Sequence, residues 1–167
     1  TANADLDAGL ESFEGLTQVY KYYALYEKIT PEIEYSLLED KKSLTVANLT
    51  KFNVTSLNIP FASYHDGYML PITKIQSQVF NNITNRLTEI SIGGAVSEIC
   101  EEAFNNVSAT NIYFAHKGRT IKYNDNQIEE PKQLRIGRYA FARNDAIQQI
   151  TLPAALKTLS EGAFESC

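Results

Sequence analysis

Apolar residues recur with a fixed phase over the last two thirds of this chain. The segments "VTSLNI", "LTEISI", "ATNIYF" and "IQQITL" are each apolar at their first, fourth and sixth positions: Val54, Leu57 and Ile59; Leu87, Ile90 and Ile92; Ala109, Ile112 and Phe114; Ile147, Ile150 and Leu152. Alternation with β-branched residues predicts a strand in each. After each strand comes a hook in which an aliphatic residue precedes Phe by five positions: Ile75 and Phe80, Ile99 and Phe104, Ile136 and Phe141, Leu159 and Phe164. The last three hooks place a small residue, Ala103, Ala140 or Ala163, directly before the ring. Strand and hook therefore alternate four times in register, the pattern that lets stacked coils bury one another's apolar faces. Gly137 and Gly162 are expected where the bend needs a positive φ.

The front of the chain has a different rhythm. Leu6, Leu10, Phe13, Leu16, Tyr20 and Tyr23 recur at helical spacing, predicting an amphipathic helix over residues 6–27 that ends before Pro31. The alternating segments "EIEYSLL" and "SLTVANL", joined through "EDKK", predict a β-hairpin. Helix and hairpin together, residues 1–50, are expected to cap a solenoid formed by residues 51–167, with about four coils and one cooperative unit.

Two coils are longer than the pattern requires. "PFASYHDGYMLP" follows the first strand and "AHKGRTIKYNDNQIEEPKQ" follows the third, so both insertions leave the solenoid along one edge, separated by the short "GGA" turn. They hold both histidines and a set of residue types common in interfaces: Tyr64, His65, Asp66, Tyr68, His116, Lys117, Arg119, Tyr123 and Asp125. One expectation is a recognition patch built from these residues. The other is a pair of decorated turns, with "RTIKYNDNQI" closing as a small hairpin around Asn124, Asp125 and Asn126. His65, Asp66 and His116 lack the spacing of a metal site.

Composition narrows the function. With 44% apolar and 21% charged residues the chain has the make-up of a folded protein, and its net charge of −5 argues against a nucleic-acid partner. No apolar run is long enough for a membrane-spanning helix. Cys100 and Cys167 are too few for a disulfide framework and are expected as thiols. Sequons at Asn48, Asn53, Asn82 and Asn106 carry little weight, because about half that number arises from composition alone. No nucleophile elbow, phosphate loop or motif-placed Cys/His pair occurs. The adjacent carboxylates Glu101/Glu102 and Glu129/Glu130 read as solvated, so neither an enzyme nor a cofactor is expected.

The closing stretch "IQQITLPAALKTLSEGAFESC" resembles the BspA-type leucine-rich repeat at Ile150, Leu152, Pro153, Leu156, Leu159, Ala163, Phe164 and Cys167, with the pattern's Gly displaced to 162. The middle unit matches at Ile90, Ile92, Val96, Ile99, Ala103 and Phe104 but carries Gly93 for Pro and Cys100 for Gly. The resemblance extends over about residues 33–167 and implies a short leucine-rich-repeat array of parallel strands; with the helix and hairpin cap read at the front of the chain, the expected fold is an α+β solenoid. The resemblance further implies a secreted or surface-attached bacterial or protist protein that binds host, matrix or cell-surface proteins. The alternative is an architectural spacer. "SEGAFESC" lacks the polar face of a terminal coil, so the array is expected to continue or to self-associate through that end.

Overall fold

The computed structural model describes residues 32–51, 55–83, 87–123 and 126–167. The helix expected over residues 6–27 lies outside them. Thirteen strands run in chain order: β1 Glu32–Leu37, β2 Leu44–Lys51, β3 Ser56–Ile59, β4 Ala62–His65, β5 Tyr68–Ile75, β6 Leu87–Ile92, β7 Glu98–Ile99, β8 Ala109–Phe114, β9 Thr120–Tyr123, β10 Asn126–Glu129, β11 Leu134–Ile136, β12 Gln149–Ile150 and β13 Leu156–Leu159. No helix occurs among the described residues, so what they form is an all-β solenoid and the α+β expectation is corrected. The physical reason is that the hooks are runs of turns whose residues of positive φ interrupt any helical hydrogen-bond ladder.

Two sheets form the walls, with strands of successive coils pairing in parallel. One has the order β12-β8-β6-β3, and the other runs β1-β2-β5-β7-β11-β13 with β4 paired to β5. The first holds the strands predicted from alternation, and their phase is the register observed: Leu57 faces Ile90, Ile90 faces Ile112 and Ile112 faces Ile150. The strands of the second wall end at the first residue of each hook, and the wall aligns Val46, Ile75, Ile99, Ile136 and Leu159. Both ladders point into one core, in which Leu57, Ile90, Ile75, Ile99 and Ile136 are buried. The hairpin β1–β2 is as expected, and β2 joins β5 in parallel, so its ladder leads directly into the first coil. Asp40 closes that hairpin by accepting bonds from the backbone of Lys42 and Ser43 and from the Ser43 hydroxyl. Leu152 and Leu159, read as ladder residues, are 37% and 50% exposed, because their coil is neighboured on one side only among the described residues.

The hooks stack as closely as the strands. Within each, the third and seventh residues after the leading aliphatic have positive φ: Gln78 and Asn82, Glu102 and Asn106, Tyr139 and Arg143, Gly162 and Ser166. A left-handed L-residue costs about 1–2 kcal/mol. The compensation is visible in the backbone: the N–H groups of Gln78, Phe80 and Asn82 donate to the carbonyls of Glu101, Ala103 and Asn105, and the next two coils repeat the pattern. Gly162 meets its conformation without strain, as expected. Gly137 does not have positive φ; it is small because a Cβ would lie 2.9 Å from the backbone of Ile99, Cys100 and Glu101, where its own N–H donates to the Ile99 carbonyl at 2.7 Å. Inside the hooks the Phe rings form a ladder, with centroids 5.1 Å apart for Phe80–Phe104, 5.0 Å for Phe104–Phe141 and 5.3 Å for Phe141–Phe164. The buried Asn144 ties coils together by donating to the carbonyls of Phe104 and Phe141.

Candidate recognition surface

Strands β3 and β8 end on the same edge of their sheet with only β6 between them, and each continues into an insertion. The first insertion is a hairpin, β4 against the start of β5, turned by Asp66 and Gly67, whose φ values of 46° and 89° are those of a tight two-residue turn. The second is the expected hairpin, β9 against β10, with Tyr123 opposite Asn126. Asp125 lies outside the described residues. The hairpins are not independent: Phe61, Met69, Ile121 and Ile128 pack around the buried Ala62, giving the pair a small core of its own.

The "GGA" turn below them explains how they come so close. A Cβ on Gly93 would collide with the Pro60 and Ile59 carbonyls, and one on Gly94 with the Glu130 carboxylate. The first insertion thus sits on Gly93 and the second on Gly94.

Glu130 anchors the second hairpin. Its side chain, 1% exposed, accepts bonds from the Lys117 N–H at 2.5 Å and the Arg119 N–H at 3.2 Å, and its other oxygen meets Arg119 Nε at 2.8 Å and Nη2 at 2.7 Å. The expectation of a solvated Glu129/Glu130 pair is therefore corrected for Glu130, because the loop Lys117–Arg119 folds over the carboxylate with Gly118 at φ 69°. Burial alone would raise this carboxyl, but bonds from Lys117 and from the Arg119 side chain and backbone, with the Arg119 charge, hold it below the ordinary carboxylate range. His116 beside it donates through Nε2 to the Val96 carbonyl at 2.6 Å, which leaves Nδ1 unprotonated and without a partner. Burial pushes its pKa below the ordinary value, against the opposing pull of the Val96 bond and the Glu130 charge.

Both shifts have one sign. In each case the folded protein binds fewer protons than the unfolded chain over a window below the ordinary pKa, so stability rises with pH there. Urea unfolding is expected to show a first loss of stability as pH falls below about 6.5, from His116, and a second below about 4.5, from Glu130. A His116→Gln variant should lack the first step. Midpoints that stay flat between pH 7 and pH 5 would contradict this assignment.

The remaining candidate residues divide between the tip and the base. At the tip of the first hairpin Tyr64 and Tyr68 are 46% and 67% exposed, and His65 lies 3.4 Å from Asp66. At the base of the second, Lys117 is exposed, whereas Arg119 and His116 spend part of their bonding capacity on Glu130 and Val96. Among the described residues no group of three His, Cys, Asp or Glu could hold a metal ion. Cys100 and Cys167 are free thiols, one half-buried and one exposed. The packing residues Phe61, Ala62, Met69, Ile121 and Ile128, and Glu130 itself, are absent from the sequence-derived set. The Asp66–Gly67 pair, a strong turn signal, marks the first hairpin in the sequence.

Two sheets joined by repeated hooks define a leucine-rich-repeat solenoid. Residues 68–167, more than half of the chain, match the BspA type Leucine rich repeat region in 6 copies, and the chain belongs to that family. A solved structure, a leucine rich cell surface protein from Faecalibacterium prausnitzii, is 25% identical and superposes with a TM-score of 0.62 over 81% of this chain. The aligned part is 32% of that protein's length. No curated protein matches the chain.

Proposed function

We propose that this chain is a non-enzymatic recognition segment of a secreted or cell-surface protein, binding a protein ligand of host, matrix or cell surface. Membership of the repeat family and likeness to a cell surface protein support the class. The observation that carries the reading is the joined pair of hairpins. An insertion serving only as a connection would gain nothing from a shared apolar core, whereas a surface that must keep one shape does.

Tyr64 and Tyr68, exposed at the tip of the first hairpin, are the expected anchors, because Tyr supplies large contact area at low entropic cost. A Tyr64→Ser, Tyr68→Ser double variant should lose at least about tenfold in affinity for a captured partner while keeping the wild-type melting temperature. Surface plasmon resonance and thermal denaturation together check it. Unchanged affinity would move recognition off this edge, and no binding by either form would favour the architectural role.

A further inference from the structure

A cavity of about 600 Å³ opens between the base of the second hairpin and the turn joining β12 to β13. Its volume lies within the range of sites that hold small ligands or a short peptide segment. Lys117, Arg119 and Lys132 supply cations, and Pro131, Ala154 and Ala155 form an apolar wall. The insertion creates this space, since one side of it is the hairpin base and the other is the body of the solenoid.

The geometry points to a binding site for a carboxylate-bearing side chain of an acidic peptide segment, with Lys117, Arg119 and Lys132 as its cationic contacts. This rests on the recognition reading above and names the chemistry of the partner. Three features carry it. Arg119 is already oriented, because Glu130 holds Nε and one Nη while the Ala115 carbonyl takes a further contact at 3.4 Å; the side chain nonetheless remains 47% exposed. A guanidinium fixed in this way binds a second carboxylate with little further loss of freedom. Next, Glu130 is already engaged by Arg119 and two backbone amides, and the other charged side chains lining the cavity are Lys117, Lys132 and Glu129. The charged lining, Lys117, Arg119 and Lys132 against Glu129 and Glu130, is thus cationic by one charge in a chain of net charge −5.

The third feature selects the ligand. The Lys117 and Arg119 amides that would cradle a small inorganic anion already donate to Glu130, so an incoming anion must rely on the side-chain cations and on the apolar wall. That combination suits a carboxylate carried on an organic chain. No Tyr or Phe lines the cavity, which leaves a sugar acid without a broad ring face on which to stack.

The test is an amide chemical-shift titration of the ¹⁵N-labelled chain with a blocked peptide of alternating Asp, Glu and Gly. The comparison ligands are its Asn/Gln isostere and an oligogalacturonate of equal charge. Shifts confined to residues 117–120, 129–132 and 154–155 are expected with the acidic peptide alone. A Lys117→Ala, Lys132→Ala double variant, altered only at exposed amines, should bind it about tenfold more weakly, and high salt should weaken wild-type binding. Equal binding of the isostere, tighter binding of the oligogalacturonate, shifts elsewhere, no shifts, or an unaffected double variant would each overturn the site. If hairpin-dependent capture of a protein partner persists in those cases, the recognition reading stands and only this inference falls.

Discussion

Replacing Phe104 by Ala is expected to lower stability by about 3–5 kcal/mol, the range for removing a large buried aromatic side chain. The ring is fully buried and stacks on both sides, against Phe80 and, at an interplanar angle of 1°, against Phe141. Deleting it leaves a cavity that rigid hooks cannot close, because their backbones are fixed by coil-to-coil hydrogen bonds on both sides. In a domain of this size the loss amounts to a fall of roughly 10 °C in melting temperature. Phe164→Ala is the control. That ring stacks on Phe141 alone and is only partly buried, so about half the effect is expected. Equal effects at the two positions, measured by urea denaturation, would show that the ladder is not what joins the coils.

The second large effect lies at Glu130. Glu130→Ala is expected to cost about 2–3 kcal/mol, below the usual range for breaking a buried ion pair because Arg119 keeps access to water. The loss should be local. Amide exchange at Lys117 and Arg119, and along β9 and β10, should accelerate while the core strands β6 and β8 stay protected. Gly94 supplies an independent check, since an added Cβ there meets the Glu130 carboxylate first. Gly94→Ala should therefore cost less in the Glu130→Ala background than in the wild type, a coupling that a double-mutant cycle reads directly. Additive costs would mean that the two sites do not touch.

The ladder strands were legible because their period is the physical one. "LTEISI" and "ATNIYF" have the bounds of β6 and β8, and their apolar phase is the register in which the strands pair. The second wall was not legible as strands, because β7 has two residues and β11 three, too few for alternation to show. What could be read was the recurring residue that each contributes, Ile99 or Ile136. The positive φ values at Gln78, Glu102 and Tyr139 were hidden for another reason: these are not residues that announce a left-handed bend, unlike Asn82, Asn106 and Gly162 in the same hooks. At the recognition edge, the phase of the insertions could be deduced from the repeat, and so could their proximity. The burial of Glu130 could not, since adjacent carboxylates usually face water and here the Lys117–Arg119 loop, distant by more than ten residues, supplies the donors.

The paired hairpins are proposed to form a recognition surface on a repeat scaffold. The most direct test is a binding comparison on immobilised matrix and cell-surface proteins, the wild-type chain against a variant in which residues 61–70 and 116–132 are replaced by short Gly-rich turns. Circular dichroism monitors the fold in parallel. The variant is expected to keep the wild-type β spectrum and to lose capture of the partner. A variant that is equally folded and binds as well as the wild type would contradict that role.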